Sequence, residues 1–243
     1  MEGMKELTFR SLIGAGNLRE RVRAESRRMP LRAMTRVVSR SSALEAARQI
    51  LSEKPWGEVT MAEVAALAGI SRQTLYKEFG SRDGLAEAYV LRFVDGFLHI
   101  VREEIDANPG DPHRAIRDGF GQFLMLAIGD PLVQRGIDGP DPQGDLLRLL
   151  TTDGGKIYLH ATHGLTEIFL TSWAAVPPAA ARVLADGLVR LAISNVALRH
   201  GTPESIATDL ADLFSPYIEA VLTPAQLVPA TAEAAEPEAR QPG

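Results

Sequence analysis

Between Met61 and Phe79 apolar residues recur at helical spacing, with one break at a glycine. Met61, Val64, Ala65 and Leu67, with Ala68 beside them, make the first apolar face. Thr60 precedes that face and Glu63 follows three residues on. This is the pattern of a capping box, in which hydroxyl and carboxylate satisfy backbone N–H groups that the first turn leaves open. Gly69 suits the left-handed conformation that ends a helix, and Ile70 is expected to tuck between two helices. Ser71 then caps a second helix, Arg72 to Lys77, whose apolar residues are Leu75 and, just past it, Phe79. Arg72, Gln73, Thr74, Tyr76 and Lys77 are left pointing outward.

The same periodicity predicts helices elsewhere and no strands. A capping pair at Ser42 and Glu45 opens a helix with Leu44, Ala47, Ile50 and Leu51 on its inner stripe, closed by Pro55-Trp56-Gly57. Trp56 reads as a core plug. Ser81 caps a long helix from Arg82 to about Asn108, with Leu85, Tyr89, Phe93, Phe97 and Ile100 on one face. At 1.5 Å per residue it runs about 40 Å. Asp111-Pro112 starts a helix carrying Ile116, Phe120, Phe123, Leu124 and Leu126. A Gly-, Asp- and Pro-rich region from Asp130 to Pro142 has room for one short helix, and Leu146 to Leu150 gives another. Helices then follow from Lys156 to Ala175, Pro178 to His200 and Pro203 to Leu222. Beyond Leu222 the Ala, Pro and Glu composition predicts a disordered tail.

Two short helices, a glycine turn and an exposed polar face form a helix-turn-helix. Its second helix fits the major groove of B-DNA, where each base pair shows a distinct donor and acceptor pattern. Arg72, Gln73 and Thr74 sit in the first turn, where base edges are read, and Tyr76 and Lys77 carry groups that reach phosphates. An ordinary helical hairpin has a similar composition. The order of cap, glycine turn, cap and polar triplet favours DNA.

The segment WGEVTMAEVAALAGISRQTLYKEFGSRDGL, residues 56–85, resembles the DNA-binding segment of the TetR family of bacterial transcriptional regulators. The marks are an aromatic and a Gly before Thr60, the Ala-Gly-Ile-Ser turn, Leu75-Tyr76-x-x-Phe79, and a basic residue and Leu85 opening the next helix. Glu78 departs from the His or aromatic often found there, and Gly80 from a common Lys. Facing DNA, Glu78 would repel phosphate. The resemblance implies that Thr60, Ser71, Arg72, Gln73, Thr74, Tyr76, Lys77 and Arg82 form the DNA-binding set, Arg82 as the match to a basic residue that touches phosphate.

Charge changes the picture only after division. The chain of 243 residues has a formal net charge of −5. Residues 1–33 hold 8 Lys and Arg against 4 Asp and Glu, residues 34–80 hold 6 against 5, and residues 81–243 hold 12 against 22. The acidic load thus lies outside the proposed DNA-binding head, and a weakly basic head calls for two heads on one site. Arg19, Arg21, Arg23, Arg27 and Arg28 give the first segment a basic run, read either as a mobile extension or as an arm reaching DNA. There are no cysteines, so disulfides and thiolate metal sites are excluded. The longest apolar run, Ile157 to Val176, is interrupted by His160, His163 and Glu167, which argues against a membrane span. A cytoplasmic protein is expected.

The resemblance also implies an all-α architecture: a three-helix head over residues 34–80, joined by the long helix to a larger helical ligand-binding and dimerisation domain over 81–222. In the family the last two long helices pair with their twins. Here these are 178–200 and 203–222, with Leu184, Leu188, Leu191, Ile193 and Val196 on one and Ile206, Leu210, Leu213, Phe214 and Ile218 on the other. The alternative is that these residues pack within one chain. The family's effector pocket maps to Phe93, Phe97, Phe120, Phe123, Leu124, Tyr158, His163, Phe169 and Trp173, a lining suited to a small apolar or amphipathic effector. Any of these can equally be core. His160, His163 and Glu167 share a helical face, so a helical metalloprotein is one rival reading. A DNA-binding factor of the same fold that senses nothing is another. No phosphate-cradling glycine loop or Gly-x-Ser-x-Gly elbow is present, so no catalytic residue and no cofactor are assigned. The expected partners are a palindromic duplex operator, the effector and a second copy of the chain.

Overall fold

In the computed structural model the described residues are 31–138, 155–173, 176–198 and 201–222, and all regular structure among them is helical. The expectations for residues 1–30, for a helix at 146–150 and for the tail beyond Leu222 lie outside these residues. The elements are α1 (Leu31–Glu53), a 3-10 turn (Trp56–Glu58), α2 (Met61–Leu67), α3 (Arg72–Phe79), α4 (Arg82–Ala107), α5 (Pro112–Gly129), α6 (Pro131–Asp138), α7 (Gly155–Ser172), α8 (Pro178–Ala197) and α9 (Pro203–Val221). No described helix is long and apolar enough to cross a membrane.

The residues divide into two compact units. One holds the chain up to Gly96 together with Leu126–Ile157, and the other holds Phe97–Met125 and the chain from Tyr158 onward. The continuous helix α4 contributes to both.

In the first unit α1 packs on α2 and α3 around Leu44, Ala47, Leu51, Trp56, Val59, Val64, Leu75 and Leu85, all nearly or fully buried. The Thr60–Glu63 capping box and the Ser71 cap form as expected, and Gly69 takes φ 66° at the turn between them. Ile70 is only half-buried. Two expectations are corrected. Helix α1 begins at Leu31, not Ser42. No Gly or Pro lies between Leu31 and Ser42, and a serine inside a helix costs only about half a kcal/mol, which a helix already under way absorbs. Glu45 accordingly pairs with Arg48 and Arg92, each at 3.8 Å, and caps nothing. Leu67 is 48 % exposed, because six residues beyond Met61 is off the shared face.

Two features fix the start of α4. Gly80 at φ 74° turns the chain out of α3. Gly84 then lies so close to the Phe79 carbonyl that a Cβ there would overlap backbone oxygen. Further along, Tyr89 donates to Asp130 Oδ2 at 2.7 Å, and Asp130 Oδ1 accepts the Leu132 N–H at 2.9 Å, capping α6. Asp130 is 3 % exposed, and its burial raises its pKa despite these bonds and the nearby Arg48 and Arg92. Arg92 donates to the Leu44 carbonyl of α1 and stacks over the Tyr89 ring. Helices α1, α4 and α6 therefore meet at one buried polar knot.

The second unit is built from the C-terminal part of α4, α5, α7, α8 and α9. Phe97, Phe120 and Phe123 form a cluster with centroids 4.5–6.2 Å apart, and Phe169 stacks on Trp173 at 4.9 Å. Thr202 caps α9 with Ser205 answering it, and the Gly187 position of α8 lies against the Phe214 ring of α9. Leu184, Leu188, Val196, Leu210 and Ile218 are buried within the chain itself, whereas Leu213 and Val183 are exposed.

Candidate nucleic-acid interface

Leu75 and Phe79 anchor α3 in the head, with 0 % and 8 % of their surface exposed. At a period of 3.6 residues that fixes the outward face, and Arg72, Gln73, Thr74, Tyr76 and Lys77 are all exposed on it. Ser71 accepts the Thr74 N–H at 3.0 Å, and the two hydroxyls lie 2.8 Å apart. Thr74 is thereby partly engaged in the cap, while the Arg72 and Gln73 side chains extend from the same first turn.

Thr60 lies at the start of α2, where its N–H and hydroxyl donate to Glu63 and its hydroxyl accepts the Glu63 N–H. Lys54 donates to the same carboxylate at 2.6 Å. These bonds, Lys54 first, hold the Glu63 carboxyl down at about 2. A depressed carboxylate stabilises the fold above its unfolded value, and that contribution is lost as pH falls through the folded one. Arg82 donates to the Gly57 carbonyl at 2.8 Å, which ties α4 to the 3-10 turn. Thr60 and Arg82 thus both have structural bonds within the head.

Glu78 is the residue whose direction the sequence left open. Its side chain is 11 % exposed and faces α1, where it accepts from Arg36 Nε at 2.6 Å and Arg40 Nη1 at 3.1 Å. Burial alone would raise its pKa, but the two guanidinium groups outweigh burial and lower it. Arg40 also stacks over Phe79, 5.1 Å from the ring centre. The repulsion expected of a carboxylate facing DNA does not arise, since Glu78 faces α1. Partners 38 and 42 residues away gave no local signal for this.

The second unit contains an apolar cavity of about 20 Å³. Its wall comes from Val101 and Ile105 of α4, Ile116 and Phe120 of α5, Phe169 of α7 and Trp173 just past it, and Leu184 and Leu188 of α8. Of the expected pocket residues, Phe120, Phe169 and Trp173 line it. Phe97 and Phe123 pack in the aromatic cluster next to Phe120, and Leu124 is buried outside the wall. Phe93 is half-buried in the first unit. Tyr158 accepts from Arg190 at 3.0 Å, and His163 is exposed. The aliphatic wall residues carry no sequence signal that separates them from ordinary core. His160, His163 and Glu167 are all exposed on α7, and no group of three or more potential metal ligands gathers among the described residues.

Residues 43–89 match the domain described as "Bacterial regulatory proteins, tetR family", and residues 111–216 match "Bacterial Tetracyclin repressor, C-terminal domain". The chain is 39 % identical over 196 residues to the HTH-type transcriptional regulator AlkX of Mycobacterium tuberculosis, covering 81 % of this chain and 92 % of that protein. It is 33 % identical over 99 residues to the regulator EthR of Mycolicibacterium smegmatis, covering 39 % and 44 %. Among solved structures, the TetR family repressor AlkX from Dietzia sp. strain DQ12-45-1b superposes with a TM-score of 0.67 at 36 % identity, over 75 % of this chain and 96 % of that one. A chain whose described residues are helical, which carries a capped helix-turn-helix at residues 60–79 and matches the family's models over 43–89 and 111–216, belongs to the TetR family of bacterial transcriptional regulators.

Proposed function

We propose that this regulator is a dimeric, cytoplasmic repressor that binds a palindromic operator and is released by a small apolar or amphipathic effector. The observation that carries the DNA contact is the outward face of α3, five exposed polar residues above the buried anchors Leu75 and Phe79. Arg72 and Gln73 read base edges, with Thr74 beside them. Tyr76 and Lys77 hold phosphates, and Arg82, Ser71 and Thr60 flank the contact. The head is residues 34–80, and residues 81–222 bind effector and partner. Two copies join through 178–222, where Val183 and Leu213 remain exposed, and place two reading helices one duplex turn apart, about 34–36 Å.

The effector enters the cavity lined by Phe120, Phe169 and Trp173. The Dietzia AlkX repressor is described as implicated in biodegradation of n-alkanes, and a wall of aliphatic and aromatic side chains suits a hydrocarbon or acyl chain. At about 20 Å³ the cavity holds no more than a water or two, so the effector selects a more open state of the second unit. Its power to release DNA equals its differential affinity for the two states. A series of alkanes and fatty acids of increasing length is expected to raise the melting temperature only above a threshold chain length. Saturating ligand at a hundred times its Kd adds about 2.7 kcal/mol of stability. A flat response across the series would leave a DNA-binding factor that senses no such ligand.

Fluorescence anisotropy on the DNA upstream of the coding region, against scrambled duplex at two salt concentrations, tests the DNA reading. Arg72→Ala or Gln73→Ala is expected to cost about 1–3 kcal/mol on the operator and to relax base preference. Lys77→Ala should weaken operator and scrambled DNA alike and flatten the salt slope by about 1. Wild-type affinities in all three variants would rule out α3 as the reading helix.

A further inference from the structure

We infer that Glu78 withholds Arg36 and Arg40 from the DNA backbone, so that the head meets DNA with the cations of its reading helix and keeps sequence-blind attraction low. The inference rests on the reading of α3 as the DNA-binding helix.

Residues 34–80 contain six cations. Arg36 and Arg40 are held on Glu78, Arg48 lies 3.8 Å from Glu45, and Lys54 is 2.6 Å from Glu63. Among the described ion pairs of the head, only Arg72 and Lys77 take no part, and both are exposed on the reading face. The pairing at Glu78 differs from the others in geometry. One largely buried carboxylate takes two guanidinium groups, while 72 % of the Arg36 side chain and 41 % of that of Arg40 stay open to solvent. Glu78 follows Lys77 in the last turn of α3, so both guanidinium groups are held beside that helix. A phosphate must compete with a carboxylate already in contact, and the carboxylate's charge cancels part of the attraction before contact. Cations that neutralise phosphates contribute to affinity without regard to sequence. Occupying Arg36 and Arg40 internally therefore raises the share of binding that comes from base edges. The same bonds join α1 to the last turn of α3, so a purely mechanical brace is the competing account.

The test measures binding of the full-length protein to operator and scrambled duplexes across a salt series. Glu78→Gln removes the charge and keeps the shape. Affinity for scrambled DNA is expected to rise about tenfold at 0.1 M salt, and the salt slope to steepen by about 1.8 per head for two released cations. Operator affinity rises less, so the ratio between the two falls. The double variant Arg36→Ala/Arg40→Ala leaves an uncompensated carboxylate, and both DNAs should bind more weakly with the slope unchanged. Adding Glu78→Gln to that pair should restore the loss. Unchanged slope and unchanged scrambled affinity in Glu78→Gln, or a loss confined to the operator, would mean a brace only and overturn the inference. So would a double variant whose slope drops by about 1.8 per head, since the arginines would then already hold phosphate in the wild type. Circular dichroism melting checks folding, and if Glu78→Gln does not fold the double variant decides alone. Wild-type protein that fails to prefer operator over scrambled DNA would instead remove the DNA reading itself, independently of any variant.

Discussion

Replacing Asp130 by alanine is expected to lower the melting temperature by about 10 °C. The side chain has three functions at once in a buried place. It caps α6 through the Leu132 N–H, accepts the Tyr89 hydroxyl, and faces the positive charges of Arg48 and Arg92. Loss of a cap costs about 0.5–2 kcal/mol. A buried hydroxyl left without an acceptor costs about 1–3 kcal/mol more. A total of about 3–4 kcal/mol, at 2–4 °C for each, gives the expected shift. The partner variant Asp130→Asn keeps the shape and separates charge from packing. Burial raises the pKa of Asp130, so between its unfolded and folded values the folded protein binds more protons than the unfolded chain. The group's contribution is then full below the ordinary carboxylate value and declines as pH rises through the folded one. Wild-type stability should carry that decline and Asp130→Asn should not. Thermal melts of both proteins between pH 4 and pH 8 check the sign. Parallel curves would show that the carboxyl does not titrate in that window.

Phe120→Ala is expected to cost about 3–5 kcal/mol. Phe120 is 2 % exposed, meets Phe97 and Phe123 edge to face, and forms part of the cavity wall. Truncation removes those contacts and opens the cavity from about 20 Å³ to a size that admits a small apolar guest. Apolar cavities of that kind stay dry and bind benzene or xenon. Benzene or xenon should therefore recover part of the lost stability in the variant and none in the wild type. Denaturant melts with and without the guest read both effects. A loss below about 1 kcal/mol would show that the surrounding helices collapse into the gap, and guest rescue would then be absent.

What the chain revealed before its structure, and what it hid, follows from the range of the interactions involved. The two caps at Thr60 and Ser71 act within three residues, and both formed as read. The exposed face of α3 also followed, because Leu75 and Phe79 fix its rotation. The family and the all-helical architecture were legible in one segment of thirty residues. Tertiary pairings were not. Arg36 and Arg40 meet Glu78 across about forty residues of chain, and Tyr89 meets Asp130 across a similar span. No periodicity records such partners. The start of α1 was misjudged for a related reason: Ser42 and Glu45 have the spacing of a cap, but nothing in the preceding segment stops a helix. Among the aromatics, spacing identified buried residues well and could not separate cavity wall from solid core. Phe120 and Phe123 are three residues apart on one helix, yet only Phe120 borders the space.

The close passage of Gly84 against the Phe79 carbonyl gives the corner between α3 and α4 the character of a joint without play. A hinge with slack absorbs small rotations before passing them on. Here the backbone of one helix's opening turn rests on the last residue of the other, and the Gly80 turn leaves four residues between Phe79 and Gly84 in which to lose motion. With so short a connection, a rotation of the first turn of α4 is expected to carry α3 with it, and a side chain at position 84 is expected to change the angle between the two helices.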